Sequence, residues 1–336
     1  NAYQNTYEDT GLDDYTSYYY RVFSVSSTGV TAGSNEVSAT TTMGIGNWGM
    51  VTSFDTEVYL RAIYAFSDEN VWVAGKKDES SIIYHYAGGS WIEIIPPNIG
   101  EITDIDFSSQ NDGWAISEEG ILRYSGSSWS VYDSEITHIL DVDVNGYDDV
   151  WFATYDSDPT YGNGTLYHLD ASNISEFSFS EPVIAVDVLQ DNSAGVVLAG
   201  DENLIYVYNG FSWVQDYDIY TGITHLTSGT AQILDQNTMF VTRTILTYDI
   251  HAISPNQVWL SGCCSGGNGM EYGSGFQYLE NGEWESAGAY GWWTGGTYFW
   301  DGESTTLIFD TSLRDLYFFE TQTGWGCSYN NVYRYN

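Results

Sequence analysis

Positive charge is almost missing from this 336-residue chain. Eight Lys and Arg face 46 Asp and Glu, for a formal charge of −38, and the only lysines are Lys76 and Lys77. A field of that sign and size excludes nucleic acid as a partner and repels anionic lipid. Long apolar runs are missing too. None approaches the roughly 18 residues of a membrane span, so direct membrane insertion of this segment is not expected. Cysteine is limited to Cys263, Cys264 and Cys327. Catalytic signatures are absent as well: no G-x-S-x-G, no His-Glu-x-x-His and no phosphate loop occurs.

What is present is a recurring phrase. Five second strands can be laid on one another, NVWVAG (70–75), DGWAIS (112–117), DVWFAT (149–154), QVWLSG (257–262) and TGWGCS (323–328), with GVVLAG (195–200) as a sixth. They align on Trp72, Trp114, Trp151, Trp259 and Trp325, with Val197 in the sixth copy. Ten positions earlier stand Asp104, Asp141, Asp187, Asp249 and Asp315, with Ala62 the exception. After each anchor comes a Tyr-bearing strand, as in SIIYHYAGG, and then a strand opened by Trp91, Trp129, Phe177, Trp213 or Trp284. Four alternating strands per unit, joined by Gly, Asn and Ser turns, describe a propeller blade.

The expected architecture is an all-β, six-bladed propeller over 43–336, with seven blades as the alternative. The blades fall near 59–95, 101–133, 139–179, 184–216, 248–288 and 313–336. The long gaps before Trp259 and Trp325 are read as single blades with hairpin insertions at 222–247 and 289–312. The last unit stops after three strands, while an orphan strand around Trp48 (46–54) precedes the first. Pairing the two closes the ring and removes two open sheet edges.

These units resemble the blades of prokaryotic secreted and cell-surface β-propellers, which read roughly as Val-Trp-Ala-Val-Gly and His-Tyr-x-Gly-x-x-Trp. Residues 1–42 resemble the C-terminal half of a fibronectin type III domain, through Leu12, Thr16, Tyr18, Tyr20, Val22 and the final SNEVSATT strand. The resemblance implies a piece of a larger modular protein, secreted or held at the cell surface.

The acids are scattered, which reads as a solvated shell suited to salt or to divalent cations. One run has metal-site spacing: Asp141, Asp143, Asn145, the Tyr147 carbonyl and Asp149 match D-x-D-x-[DN]-G-x-x-D, in which hard oxygens at alternate positions wrap Ca²⁺. Position twelve is Phe152, which rules out an EF-hand; nine-residue calcium loops of extracellular propellers resemble it. The competing reading is an inner strand followed by an ordinary turn. The repeated aspartates pose the same choice, between an acidic channel ring for a cation and a device that accepts backbone hydrogen bonds from the next blade. A Gly-rich segment holds Tyr290, Trp292, Trp293, Tyr298 and Trp300, candidates for stacking on sugar rings or for a minicore under an inserted hairpin.

Cys263 and Cys264 lie near the end of one second strand and Cys327 in the next, so an inter-blade disulfide is plausible for an exported protein. Asn163 and Asn173 head glycosylation sequons. The histidines are His85, His138, His168, His225 and His251. His85 and His168 share a third-strand position with Arg123 and Arg334, which marks a repeat position rather than a site. The expected function is extracellular binding or assembly: adhesion, or a surface-layer or filament subunit assisted by Ca²⁺. Its partners would be surface glycans, surface proteins or further copies. A polysaccharide hydrolase or lyase working at the channel mouth is the alternative.

Overall fold

The computed structural model describes residues 17–23, 25–26, 29–30, 33–40 and 46–336, save 133–135, 159–161, 172, 200–203, 219–229, 236–237, 243–246, 255–256, 263–275, 281–282, 288–295, 302–304 and 321–322. The chain divides at Gly46 into two compact units. In the first, Ser17–Tyr20 pairs antiparallel with Val37–Thr40, and Val25–Ser26 pairs with Gly29–Val30.

The second unit is all β in its described residues. Its strands form seven four-stranded antiparallel sheets. Blade 1 is Val58–Ser67, Asn70–Lys77, Ser80–Ala87 and Ser90–Ile94. Blade 2 is Asp104–Ser109, Asp112–Ser117, Gly120–Tyr124 and Trp129–Val131. Blade 3 is Ile139–Gly146, Asp149–Thr154, Gly164–Asp170 and Asn173–Phe179, and blade 4 is Val183–Val188, Gly195–Ala199, Leu204–Tyr208 and Trp213–Asp218. The first strand of each sheet contacts the first strand of the next, and the seventh returns to the first, so the sheets form a closed ring.

The count is therefore seven rather than six, and the extra blade comes from material expected to be insertions. Blade 5 joins Thr230–Asp235 and Thr238–Thr242 to Phe276–Glu280 and Glu283–Ala287. Blade 6 joins Thr247–Ser254 and Gln257–Gly262 to Gly296–Trp300 and Thr305–Phe309. The two blades are interleaved: the chain lays the inner hairpin of each, then the outer hairpin of each. The segment carrying Trp284 thus belongs not to the Trp259 sheet but to its neighbour, where Phe240 faces Tyr278. Neither blade can be completed before the other has begun. Gln277→Pro is expected to strip amide-exchange protection from 238–242 more than from 257–262. The reverse pattern would return this hairpin to the Trp259 blade.

Blade 7 is Asp315–Glu320, Thr323–Ser328, Asn331–Tyr335 and, as its outermost strand, Trp48–Ser53. Register runs from Asn331↔Ser53 to Tyr335↔Trp48, and Asn47 and Asn336 exchange backbone hydrogen bonds at its end. The strand before blade 1 thus completes the last sheet, as the orphan strand around Trp48 predicts.

Each second strand is covered on both faces by neighbouring blades, which is why it reads as a continuous apolar run rather than an alternation. Trp114, Trp151, Trp259 and Trp325 are among the largest fully buried side chains. The third-strand partner covers the anchor: His85 stacks on Trp72 and His168 on Trp151, both at 3.8 Å between ring centroids. Arg123 lies 4.9 Å over Trp114 and Arg334 5.8 Å over Trp325. Cation or flat ring over indole is a packing element here. His85 bonds to Asn70, His168 to Asp149 and Arg123 to Asp112. These four residues therefore act as a repeat position.

Candidate functional site

The inner strands line the central channel with two tiers of side chains. In one tier stand Ala62, Asp104, Asp141, Ala185, Asp249 and Asp315. Val142 N donates to Asp104 Oδ2 (3.3 Å), Val186 N to Asp141 (2.8 Å), Leu316 N to Asp249 (2.9 Å) and Ile63 N to Asp315 (2.6 Å). Two residues further along runs the second tier, Tyr64, Asp106, Asp143, Asp187, Gln232, His251 and Tyr317. Val144 N donates to Asp106 (2.7 Å), Val188 N to Asp143 (2.9 Å), Ile233 N to Asp187 (2.6 Å) and Phe318 N to His251 Nε2 (3.4 Å). Ala252 N donates to Gln232 Oε1, Tyr64 Oη donates to the Phe107 carbonyl, and the Tyr64 and Tyr317 rings lie 4.5 Å apart.

Each acceptor thus reaches into the inner strand of the following blade. Asp104, Asp106 and Asp249 also accept from the N–H of their own next residue, so one carboxylate bridges two blades. The device is structural, as the repetition suggests. Asp187 joins the tier of Asp106 and Asp143, not that of Asp104, because its strand partner is Val196 rather than Val197. The other members of the second tier face the anchor and stand eight residues before it, a periodicity legible in the sequence but not used there.

Crowding acids in a desolvated channel shifts their proton affinity. Burial, then the charge of Asp104, raises Asp106 to about 8, and burial raises Asp187 and Asp249 to about 7. Burial and neighbouring carboxylates push Asp141, Asp143 and Asp315 well up. Burial raises Asp104 as well, and the charge of Asp104 on Asp141 and of Asp249 on Asp315 disfavours ionisation of both members of each pair. Burial lowers His251 to about 4, keeping Nε2 free to accept.

The expected calcium loop is drawn out along this wall. Asp141 and Asp143 belong to the strand Ile139–Gly146 and face the next blade's N–H groups. Asp149 accepts from His168 Nε2 and Asn192 Nδ2, both at 2.8 Å. Asn145 Nδ2 lies 3.4 Å from Asp143, and Tyr147 is an exposed ring 4.5 Å from the Arg123 guanidinium. Among the described residues no group of three or more His, Cys, Asp or Glu is placed to hold a metal ion.

Of the aromatic candidates, Tyr298 and Trp300 are buried in the third strand of blade 6, with Phe299 between them packed on Trp259. They form core, so they offer no ring face to a ligand. Tyr290, Trp292 and Trp293 lie outside the described residues, as do Cys263 and Cys264. Cys327 is a fully buried free thiol, and its proposed disulfide partners are not among the described residues. Burial raises its pKa well above the ordinary thiol value, so it is inert. Asn163 and Asn173 are both exposed.

No protein-family pattern and no curated protein matches the sequence. Solved structures do match. YCF48 bound to D1 peptide is 13% identical, with a TM-score of 0.54 over 87% of this chain and 99% of that one. Virginiamycin B lyase from Staphylococcus aureus with quinupristin is 12% identical, with a TM-score of 0.55 over 86% and 98%. The extracellular domain of BT4673 from B. thetaiotaomicron is 11% identical at a TM-score of 0.55, and the match spans 86% of this chain but 40% of that one. At such identities the likeness is one of fold: residues 47–336 are a β-propeller.

Proposed function

We propose that this chain is an extracellular or cell-surface module for binding or assembly, in which the propeller acts as a rigid disc and its loops recognise the partner. One observation supports this above the others: the polar groups of the channel wall are committed to hydrogen bonds between blades. Such a wall holds the ring together and presents no nucleophile beside a base. The peptide-bound propeller among the similar folds, and the extracellular one, fit this reading; the lyase keeps an enzymatic alternative in view. Surface glycans, surface proteins and further copies of the chain are the proposed partners.

The test uses the whole chain at fixed ionic strength. Glycan and peptide arrays, with sedimentation velocity alongside, are expected to give saturable binding or self-association and no release of sugar ends from acidic or neutral polysaccharides. Turnover of any polysaccharide would overturn the reading.

A further inference from the structure

The open edges of the ring are the outermost strands of its seven blades, and six of them are short, broken or blunted. Blade 1 ends in five residues, Ser90–Ile94, followed by Ile95, Pro96 and Pro97. Blade 2 has three, Trp129–Val131, and blade 5 has five, Glu283–Ala287. In blades 4, 6 and 7 the pairing of the outermost strand slips, at Ile205/Tyr206, Thr297/Tyr298 and Val332/Tyr333. Blade 3 differs: its outer strand, Asn173–Phe179, pairs with Gly164–Asp170 over seven residues without a slip. That strand has no Lys, Arg or Pro and one acid, Glu176, and its residues Asn173 to Glu176 and Ser178 are exposed. Among the described residues no further strand pairs with its outer side.

A long, flat edge with little charge offers a row of free N–H and C=O groups on which another chain can add a strand, and lysine, proline or a bulge commonly guards against that. Local sequence explains why this edge runs on. Blades 1, 2 and 4 set Trp91, Trp129 and Trp213 opposite a tyrosine, whereas blade 3 sets Ile174, 46% exposed, opposite Leu169. Its aromatic comes three residues later, as Phe177, stacked on Trp151 at 5.8 Å. The chain contains two Asn-x-Ser/Thr sequons, Asn163-Gly164-Thr165 and Asn173-Ile174-Ser175, and both fall in this one hairpin. Asn173 opens the edge strand, and Asn163 precedes Gly164, the partner of Phe179 at the strand's other end. Six strand steps set those ends about 20 Å apart. Both asparagines are exposed, as an acceptor must be.

We infer that this hairpin is a modification site: Asn163 and Asn173 carry N-linked glycans, and the pair guards the outer edge of blade 3 against strand addition by another copy of the chain. The donor is an oligosaccharide carried on a lipid diphosphate. Its C1–O bond to phosphate breaks, C1 bonds to the asparagine Nδ2, the amide gives up one proton, and the lipid diphosphate leaves. Each glycan is bulky and hydrated, so a chain approaching 173–179 to hydrogen-bonding distance meets one at either end. The guard rests on the extracellular reading above, because the donor is met on export, and it is separate from what the loops recognise.

For the test, the whole chain is secreted from insect cells and its glycopeptides are weighed. Both asparagines are expected to carry glycan, and its absence from either would overturn the site. Asn163→Gln combined with Asn173→Gln is then compared with the parent by sedimentation velocity at physiological salt, where the charge of −38 is screened beyond about 8 Å. The double variant is expected to melt as the parent does yet to show roughly twice its weight-average mass. Adding Ile174→Glu, which sets a second acid on the edge beside Glu176 so that copies repel, should bring the mass back to the parent's value. If the double variant is not secreted, trimming the glycans of the folded parent to their first sugar gives the same comparison. A double variant as dispersed as the parent, or association untouched by Ile174→Glu, would overturn the guard. None of these outcomes alters the array result, so the binding reading stands or falls separately.

Discussion

Lowering the pH from about 7.5 to about 5.5 is expected to stabilise this protein, against the habit of acidic proteins to lose stability as carboxylates are protonated. The cause is the channel wall. Asp106 titrates at about 8, and Asp187 and Asp249 at about 7, against about 3.9 for an aspartate in an unfolded chain. A carboxyl whose folded pKa is raised contributes stability that is fully present below the unfolded value and lost as pH rises through the folded one. Between pH 4 and 8 the native state therefore holds more protons than the unfolded state. Each such proton is worth about 1.4 kcal/mol per pH unit, so even one gives about 3 kcal/mol over two units. His251 works in the opposite sense at the acid end: its folded pKa near 4 lies below the ordinary 6.5, so its share is present above 6.5 and declines as pH falls toward 4. The optimum is expected near pH 5.

Surface repulsion at −38 would tilt stability the same way, so the origin must be separated. Salt at 0.5 M screens surface charge but reaches the half-buried wall far less. Asp106→Asn is the sharper tool, because the ionisable group is gone while the single amide oxygen still accepts from one of the two N–H groups, Val144 N on Oδ2 or Phe107 N on Oδ1, much as the protonated carboxyl does. The variant is expected to be more stable than the parent at pH 8, by about 2 kcal/mol after discounting for the channel's solvent, and unchanged at pH 4.5. Thermal midpoints across pH 4.5–8.5 for both proteins, in low and high salt, give the answer. A parent and variant with parallel profiles would remove the wall as the cause.

Much of this fold is legible in the sequence because one residue per blade cannot be placed elsewhere. A Trp inside a run buried on both faces marks the second strand, and five of seven blades announce themselves that way. The sixth copy, with Val197 for Trp, still keeps its strand pattern. The blade count was not legible, because blade 5 anchors on Phe240 within a short TMFVT strand and receives its outer hairpin only after another blade has started. Hairpins 276–287 and 296–309 have similar chemistry, and nearness in sequence does not decide which sheet each joins.

Two related physical features kept the surroundings of the candidate residues from being legible in the sequence. Side chains two apart on a strand share a face, so Asp141 and Asp143 in DVDVNG imitate the alternating oxygens of a calcium loop while lining a channel. Blades bury both faces, so the run GTYFW, buried throughout, has the composition of an exposed aromatic patch.

Ring closure concentrates stability in Trp48. This residue is 8% exposed at the start of the closing strand, stacked with Phe309 at 6.2 Å and edge-on to Trp259 at 6.0 Å and Phe318 at 5.8 Å. It also faces Tyr335, which is fully buried, so one indole joins the closing strand to blades 6 and 7. Trp48→Ala is expected to cost about 3–5 kcal/mol, the range for a large core aromatic, and to lower the melting midpoint by roughly 10 °C. Met50→Ala, two residues along the same strand with a side chain 63% exposed, should cost less than about 0.5 kcal/mol. Deleting 1–54 goes further. It uncovers the N–H and C=O groups of Asn331–Tyr335 that now pair with Trp48–Ser53, leaving an open edge able to template pairing with another chain. Light scattering on the truncated chain should therefore show dimers or larger species at concentrations where the whole chain is dispersed. If Trp48→Ala melts like Met50→Ala and the truncation behaves like the whole chain, the ring is held by its other six blades and the closing strand is an ornament. The packing of Trp48 against four separate strands argues that it is a clasp.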